Sequence, residues 1–243
     1  MRMLTFSQRI AKEILRDPLN LAFGLGFPLV VLILLSAIQA NIPVSLFEIQ
    51  NISPGIAVFG LSFMTLFSAT VISKDRKSAL LQRLYTTPLR PVDFILGYTL
   101  PVLPIALCQS VVCYLAAIVL GLKVTADLLL ALVLIVPISF LYIALGLLCG
   151  SVFNDKQVGG ICGALLTNLS AWLSGTWFDL ELVGGAFKKI AYALPFVHAV
   201  EAERAVLAGD FGGIFPHLWW VIGYAAVIFV FAVLLFLRQM KRQ

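Results

Sequence analysis

Charge is scarce in this sequence, and none of it lies in the long apolar runs. Asp, Glu, Lys and Arg make up 12% of the 243 residues, and hydrophobic residues 61%. A soluble domain is about a quarter charged, so a water-facing globular surface is excluded and the chain reads as an integral membrane protein. Six segments, at about 20–40, 52–72, 94–120, 128–150, 157–178 and 217–237, contain no Asp, Glu, Lys or Arg. Each is long enough to cross a hydrocarbon core of about 30 Å at about 1.5 Å per residue. Proton pumps and ion-coupled carriers place ionisable groups at depth to carry the coupling ion. Their absence argues against a proton-driven carrier, although a sodium site made of backbone carbonyls stays open.

Catalytic groups are missing too. The histidines are His198 and His217, both outside the expected membrane core. Ser174 precedes Gly175, but Trp172 stands where a serine nucleophile turn needs glycine. His198 and Glu201 are one helical turn apart, as two metal ligands could be, yet no third ligand accompanies them; they read as a polar cap on an outer helix, and no metal site is expected. No paired-aspartate pattern for phospholipid headgroup transfer occurs. Cys108, Cys113, Cys149 and Cys162 lack CxxC or Cys/His spacing and read as small packing residues. The net charge of +5 is spread over short loops, which is not a nucleic-acid footprint. No G-x-x-x-x-G-K occurs, so the chain does not hydrolyse nucleotide by itself. Work against a gradient would need energy from another polypeptide.

What is present is organised about the membrane. Residues 2–16 form an amphipathic helix with Met3, Phe6, Ile10 and Ile14 on one face and Arg9, Lys12, Glu13 and Arg16 on the other, suited to the interface plane. Nineteen mostly polar residues before a full-length span do not read as a cleavable signal. Pro101 and Pro104 predict a kink in the third span, and Pro137 one in the fourth. With the N-terminus inside, inner segments carry thirteen Lys and Arg and outer segments four, which sets both ends in the cytoplasm. Trp177, Trp219 and Trp220 then fall at the outer interface. Between spans five and six, Phe187, Ile190, Ala191 and Leu194 recur at helical spacing before Pro195, and a second short helix can run to Leu207. Residues 184–207 therefore read as two external re-entrant half-helices, or as a plain outer loop.

The most charged stretch is Ser73–Asp93, with Lys74, Arg76, Lys77, Arg83 and Arg90 against Asp75 and Asp93. Leu80, Leu81 and Leu84 give it one apolar face, and Pro88 and Pro91 stop it. It reads as a cytoplasmic handle for a partner, or as an ordinary positive-inside loop. These residues resemble the permease subunit of bacterial type-2 ATP-binding-cassette (ABC) exporters, over nearly the whole length. That family shows an acidic-basic run, Gly-Thr, then Leu-x-Arg-Leu-x-x-Thr-Pro-Leu. Here Asp75 stands in the acidic run and Leu81 to Leu89 match the remainder, while Lys77 replaces a second acid and Ala79-Leu80 replace Gly-Thr. Ser174-Gly175, Leu194-Pro195, Arg204 and Gly209 match the family around its outer half-helices.

The resemblance implies an all-α integral membrane protein: six transmembrane helices, the interfacial helix 2–16, a cytoplasmic coupling helix at about 75–87, and re-entrant half-helices between spans five and six, all one domain in the bacterial inner membrane. It implies a pair of permease chains, a homodimer, on two copies of an ABC ATPase. ATP and Mg would sit on that ATPase, with no cofactor on this chain. Asp75, Arg76, Lys77, Leu80, Leu81, Arg83, Leu84 and Pro88 are the implied contact set.

Gly159, Gly163, Thr167, Ser170 and Ser174 succeed one another in steps of four, four, three and four. They share one face of an α-helix, and small faces allow close approach in lipid. They are expected at the dimer seam, with packing inside one subunit as the alternative. Ser62, Thr65 and Ser68, with Thr167 and Asn168, are expected along a mostly apolar lateral passage, unless the hydroxyls bond back to their own helices. Such a passage suits amphiphilic cargo (drug, antibiotic, peptide or lipid-like). The alternatives are a polysaccharide or glycolipid export permease of the same architecture and, from another class, a membrane scaffold or receptor without transport.

Overall fold

The computed structural model describes residues 2–43, 47–78 and 91–240, and all regular structure among them is helical. Helix α1 (Arg2–Leu15) turns Phe6, Ile10 and Ile14 inward, as its periodicity requires. Asp17 then caps α2 (Pro18–Gln39): its Oδ1 accepts from Asn20 N at 3.2 Å, and Pro18 supplies a preset φ at the first position.

The molecule is built round α3 (Ile49–Lys77), a 29-residue helix buried for nearly its whole length. Its small residues make that possible. Phe59, Phe63 and Phe67 fill the wider gaps; Ser53, Gly55, Gly60, Ser62, Ser68 and Ala69 let neighbours close in. Helix α4 (Pro91–Thr99) receives α1: Phe6 meets Phe94 and Tyr98 edge-on at 5.7 and 5.1 Å, over Gly97. The chain breaks at Leu100–Pro101 and resumes as α5 (Val102–Val119), so the expected kink falls at the first of the two prolines. Helix α6 (Asp127–Val152) runs through Pro137 without interruption. It presents Gly146 and Gly150 to α3, where added β-carbons would lie within 3 Å of the α3 backbone at Thr65 and Ala69. The shared surface is pinned by Thr65 Oγ1, which donates to the Tyr142 carbonyl at 2.8 Å.

The expected span at 157–178 is composite. It consists of α7 (Asp155–Val158), begun by an Asn154–Gln157 capping box, a π-helical segment Gly159–Leu166, and α8 (Thr167–Leu173). Four short or half-length pieces come next: a turn at Gly175, α9 (Leu180–Val183), α10 (Gly185–Ala193) and α11 (Pro195–Leu207). Helix α12 (Phe211–Met240) closes the fold against α6 and α11. Among the described residues, five helical runs are long and apolar enough to cross a membrane: 18–39, 49–77, 92–119, 127–152 and 211–235.

The close α3–α6 approach predicts that Gly146→Ala destabilises the protein by about 1–3 kcal/mol through overpacking against backbone, read as a lowered Tm in detergent. Gly223→Ala, where a β-carbon meets nothing within 4 Å, should leave Tm unchanged.

Candidate functional site

Two clusters of polar side chains lie at opposite ends of α3. The first forms where α3 leaves its apolar stretch. Asp75 is 2% exposed. Arg9 of α1 grips it with both terminal nitrogens, Nη2 to Oδ1 at 2.6 Å and Nη1 to Oδ2 at 2.9 Å, and Tyr98 Oη of α4 donates to Oδ2 at 2.9 Å. Glu13 meets the same guanidinium at 2.9 Å. The hydrogen bond that Arg9 donates to Asp75 raises the Arg9 pKa, and burial raises that of Glu13. One residue on, Arg76 Nη1 donates to the carbonyls of Gly150 and Phe153 at 2.8 and 3.3 Å, a cation at the C-terminus of α6 where the helix dipole favours it.

Asp75, Arg76 and Lys77 thus form the last turn of α3 rather than the start of a separate helix, and the chain turns extended at Ser78. Asp75 and Arg76 point inward and are engaged within the chain; Lys77 is exposed. Leu80, Leu81, Arg83, Leu84 and Pro88, with most of the expected helix at 75–87, lie outside the described residues.

The second cluster surrounds residues 184–207, which fold as two helices split at Leu194–Pro195. Pro195 is suited to the first turn of α11, and Leu194 before it is extended, as a residue preceding proline prefers. Arg204 holds three pieces together: its side chain donates to the Asn51 carbonyl at 3.2 Å, the Gly175 carbonyl at 2.9 Å and Glu201 Oε1 at 2.8 Å. Phe47, Trp177, Phe178, Tyr192, Glu201 and Arg204 border an outward pocket of about 650 Å³. Gly175 stands at φ +69°, in the left-handed region that favours glycine, which accounts for the Ser174-Gly175 pair at the end of α8.

His198 is joined to His217 of α12 through their Nδ1 atoms at 2.8 Å, to the Tyr192 carbonyl at 3.0 Å, and stacks on Trp220 at 5.0 Å. Burial lowers its pKa. His198 and Glu201 therefore face different partners, and no cluster of three or more His, Cys, Asp or Glu fit for a metal exists among the described residues.

The remaining expected residues separate. Ser62, Thr65 and Ser68 are buried on α3, with Thr65 and Ser68 against α6 at Gly146; Thr65 bonds Tyr142, and the other two hydroxyls have no hydrogen-bond partner among the described residues. Asn168 is exposed elsewhere and bonds its own helix at Ala164. Of the small stripe, Gly159 lies in the open and Gly163 faces Leu66, while Thr167, Ser170 and Ser174 are buried in the subunit. Ser170 bonds the Tyr142 hydroxyl at 2.8 Å, and Ser174 the Thr176 hydroxyl at 2.7 Å. The π segment divides the stripe, because its wider turns rotate the later residues away from the α-helical phase.

Sequence reasoning passed over Glu203, which is wholly buried and meets Tyr114 Oη at 2.7 Å. A signal was available: Phe196, Val200, Glu203 and Leu207 recur at helical spacing, so the carboxyl interrupts an apolar face.

Both clusters can be tested through stability. Asp75→Asn should cost about 1.5–3 kcal/mol, since a charge-assisted contact is lost and Arg9 is left poorly paired, and Tm should fall; the exposed Lys77→Asn should keep Tm. The lowered His198 pKa gives stability that is full above pH 6.5, its ordinary value, and is lost as pH falls through the depressed one. Acidification below pH 6.5 should therefore lower the Tm of the native chain relative to that of His198→Gln.

The family model of the ABC-2 type transporter matches residues 2–208, from α1 through α11, and so takes in both clusters. No curated protein matches the chain. The match covers most of the chain, with five membrane-crossing helical runs beside it, and this multi-pass protein therefore belongs to the ABC-2 type transporter family, as a permease component.

Proposed function

We propose that the chain is the permease subunit of an ATP-driven exporter that moves an amphiphilic cargo out of the cell or the inner leaflet. Two copies of a separate ABC ATPase, carrying ATP and Mg, would power a pair of these permeases in the bacterial inner membrane, with both termini cytoplasmic. The observation that carries the reading is the anchorage of the α3 end. The basic segment 79–90, which in this reading is the ATPase handle, leaves directly from a turn clamped to α1 and α4 through Asp75 and to α6 through Arg76. A push on that segment would be delivered to the buried central helix rather than dissipated in a loose loop.

In the same reading, Leu80, Leu81 and Leu84 fill a groove of the ATPase, and Lys77 and Arg83 meet acids at its rim. The homodimer seam takes the outward faces of α2 and the π segment. Phe23, Val30, Ile33 and Leu34 are exposed on α2, and Gly159 and Gly163 offer close approach without bulk. The apolar composition of the spans favours amphiphilic cargo such as a drug, antibiotic, peptide or lipid-like molecule.

The test is co-purification with the ATPase encoded beside the permease, and then ATP hydrolysis by the complex. A complex should form, and Leu81→Asp should release the ATPase while leaving the Tm of the permease unchanged. Retained binding by Leu81→Asp overturns the docking face; absence of any complex in several mild detergents overturns the exporter reading.

A further inference from the structure

The wholly buried carboxyl of Glu203 has no cationic partner among the described residues. Tyr114 Oη of α5 donates to Oε2 at 2.7 Å, and Oε1 has no hydrogen-bond partner among them. The charged and titratable groups on the elements around it are engaged elsewhere or lie far along the chain. On α11 itself, Arg204 turns to Asn51, Gly175 and Glu201, and His198 turns to His217 and Tyr192. Helix α3 carries no titratable side chain from Ile49 to Ser73, and α8 carries none. Helix α6 brings Asp127 at its start, Tyr142, whose hydroxyl meets Ser170, and Cys149 near its far end beside Cys162. Helix α12 brings His217 and Tyr224, the latter bound to the Ala193 carbonyl. Helix α10 brings Lys188, paired with Glu181, the exposed Lys189, and Tyr192. Helix α5 adds Cys108 and Cys113, the latter accepting from Gln109.

A carboxylate held by one neutral donor and shut away from solvent is costly to keep ionised, and such a group takes up a proton instead. Burial pushes Glu203 up to about 8 from an ordinary 4.5, against a smaller opposing effect of the Tyr114 hydrogen bond.

We propose that Glu203 is a proton-binding site that seats the outer half-helix. With a proton on Oε1, α11 stays seated against α3, α6 and α12 with its carboxyl bonded to Tyr114 of α5. When these surfaces part and water enters, the O–H bond ionises, the carboxylate keeps the electron pair, and the proton passes to the outer medium. The proposal stands on this packing and not on the exporter reading. If that reading also holds, the outer end opens more readily as external pH rises.

Linkage sets the sign. A group whose pKa is raised in the closed state supports that state fully below pH 4.5 and loses the support as pH rises through about 8. For one proton, the opening equilibrium rises about tenfold per pH unit within that window.

The experiment uses the full chain in lipid nanodiscs between pH 6.5 and 8, above the range in which His198 titrates. Amide hydrogen exchange of residues 195–207, corrected for intrinsic rates, should rise about 15-fold over those 1.5 units, the slope flattening as pH reaches about 8, and Glu203→Gln, neutral and of the same shape, should stay flat. Difference infrared spectra should show a protonated carboxyl at pH 6.5 that fades toward pH 8 and is missing from Glu203→Gln. Tyr114→Phe, which removes the one donor favouring the charged form, should shift that midpoint upward. A native exchange profile that is flat, or that Glu203→Gln reproduces, overturns the coupling. The absence of a protonated carboxyl signal lost on that substitution overturns the site. Should Glu203→Gln fail to fold, an unmoved infrared midpoint in Tyr114→Phe overturns it equally.

Discussion

The contact on which the end of the molecule around α1 and α4 depends is the grip of Arg9 on Asp75. It draws α1, α3 and α4 to one point and fixes where the apolar helix ends and the basic segment begins. A buried ion pair is weak evidence for stability, because desolvation of both groups consumes most of the attraction. Its value lies in geometry. Two parallel guanidinium bonds set distance and angle together, and Tyr98 fixes the carboxylate from the other side. Asp75 is nearly inaccessible whereas Arg9 is 38% exposed, so the pair is asymmetric: α1 can be peeled back into water at modest cost to Arg9, but Asp75 would be stranded. The interfacial helix is thereby tied to the central helix by a bond whose loss the central helix feels most.

Within the apolar layer no such bond is available, and lipid removes the ordinary hydrophobic drive between helices. Closeness of fit takes over. Gly60 stands against Gln109, Gly146 against Thr65 and Ser68, and Gly150 against Ala69 and Ile72. These contacts make α3 a shaft surrounded by α2, α5, α6 and α11, and they explain how a helix that begins at the outer cluster and ends at the inner one can stay buried between them. Arg204 performs at the outer end what Asp75 performs at the inner end, by bonding the Asn51 carbonyl in the first turn of α3.

Much of this was legible in the sequence. Five of the six charge-free runs located helices long and apolar enough to cross a membrane, the run at 157–178 being composite instead; Phe6, Ile10 and Ile14 gave the buried face of α1, and Pro195 placed the split between α10 and α11. Three features were not. The inward turn of Asp75 depends on Arg9, 66 residues away in the chain, and a charged stretch read alone gives no sign of it. The stripe from Gly159 to Ser174 assumed unbroken α-helical phase; a π segment changes that phase without any proline or charge to announce it. Ser62, Thr65 and Ser68 are all buried, but the packing of Thr65 and Ser68 against Gly146 depends on another helix and could not be read from α3 alone.

The two ends of α3 are closed by different physics, and this bears on how such a protein could respond to its surroundings. At the inner end, charges of opposite sign meet, and the contact persists wherever carboxylates are ionised. At the outer end, His198, His217 and Glu203 are held chiefly by neutral contacts that hydrogen-bond only in particular protonation states. Acid charges His198, whose burial disfavours the charged form; alkali ionises Glu203, whose buried site offers a single donor. The outer half-helix is therefore best seated in the interval between those titrations, where His198 is neutral and Glu203 protonated. That interval exists because burial moves the two groups in opposite directions, the imidazole down and the carboxyl up. The half-helix that carries His198 and Glu203 can therefore loosen with pH while the Arg9–Asp75 grip at the opposite end of α3 holds.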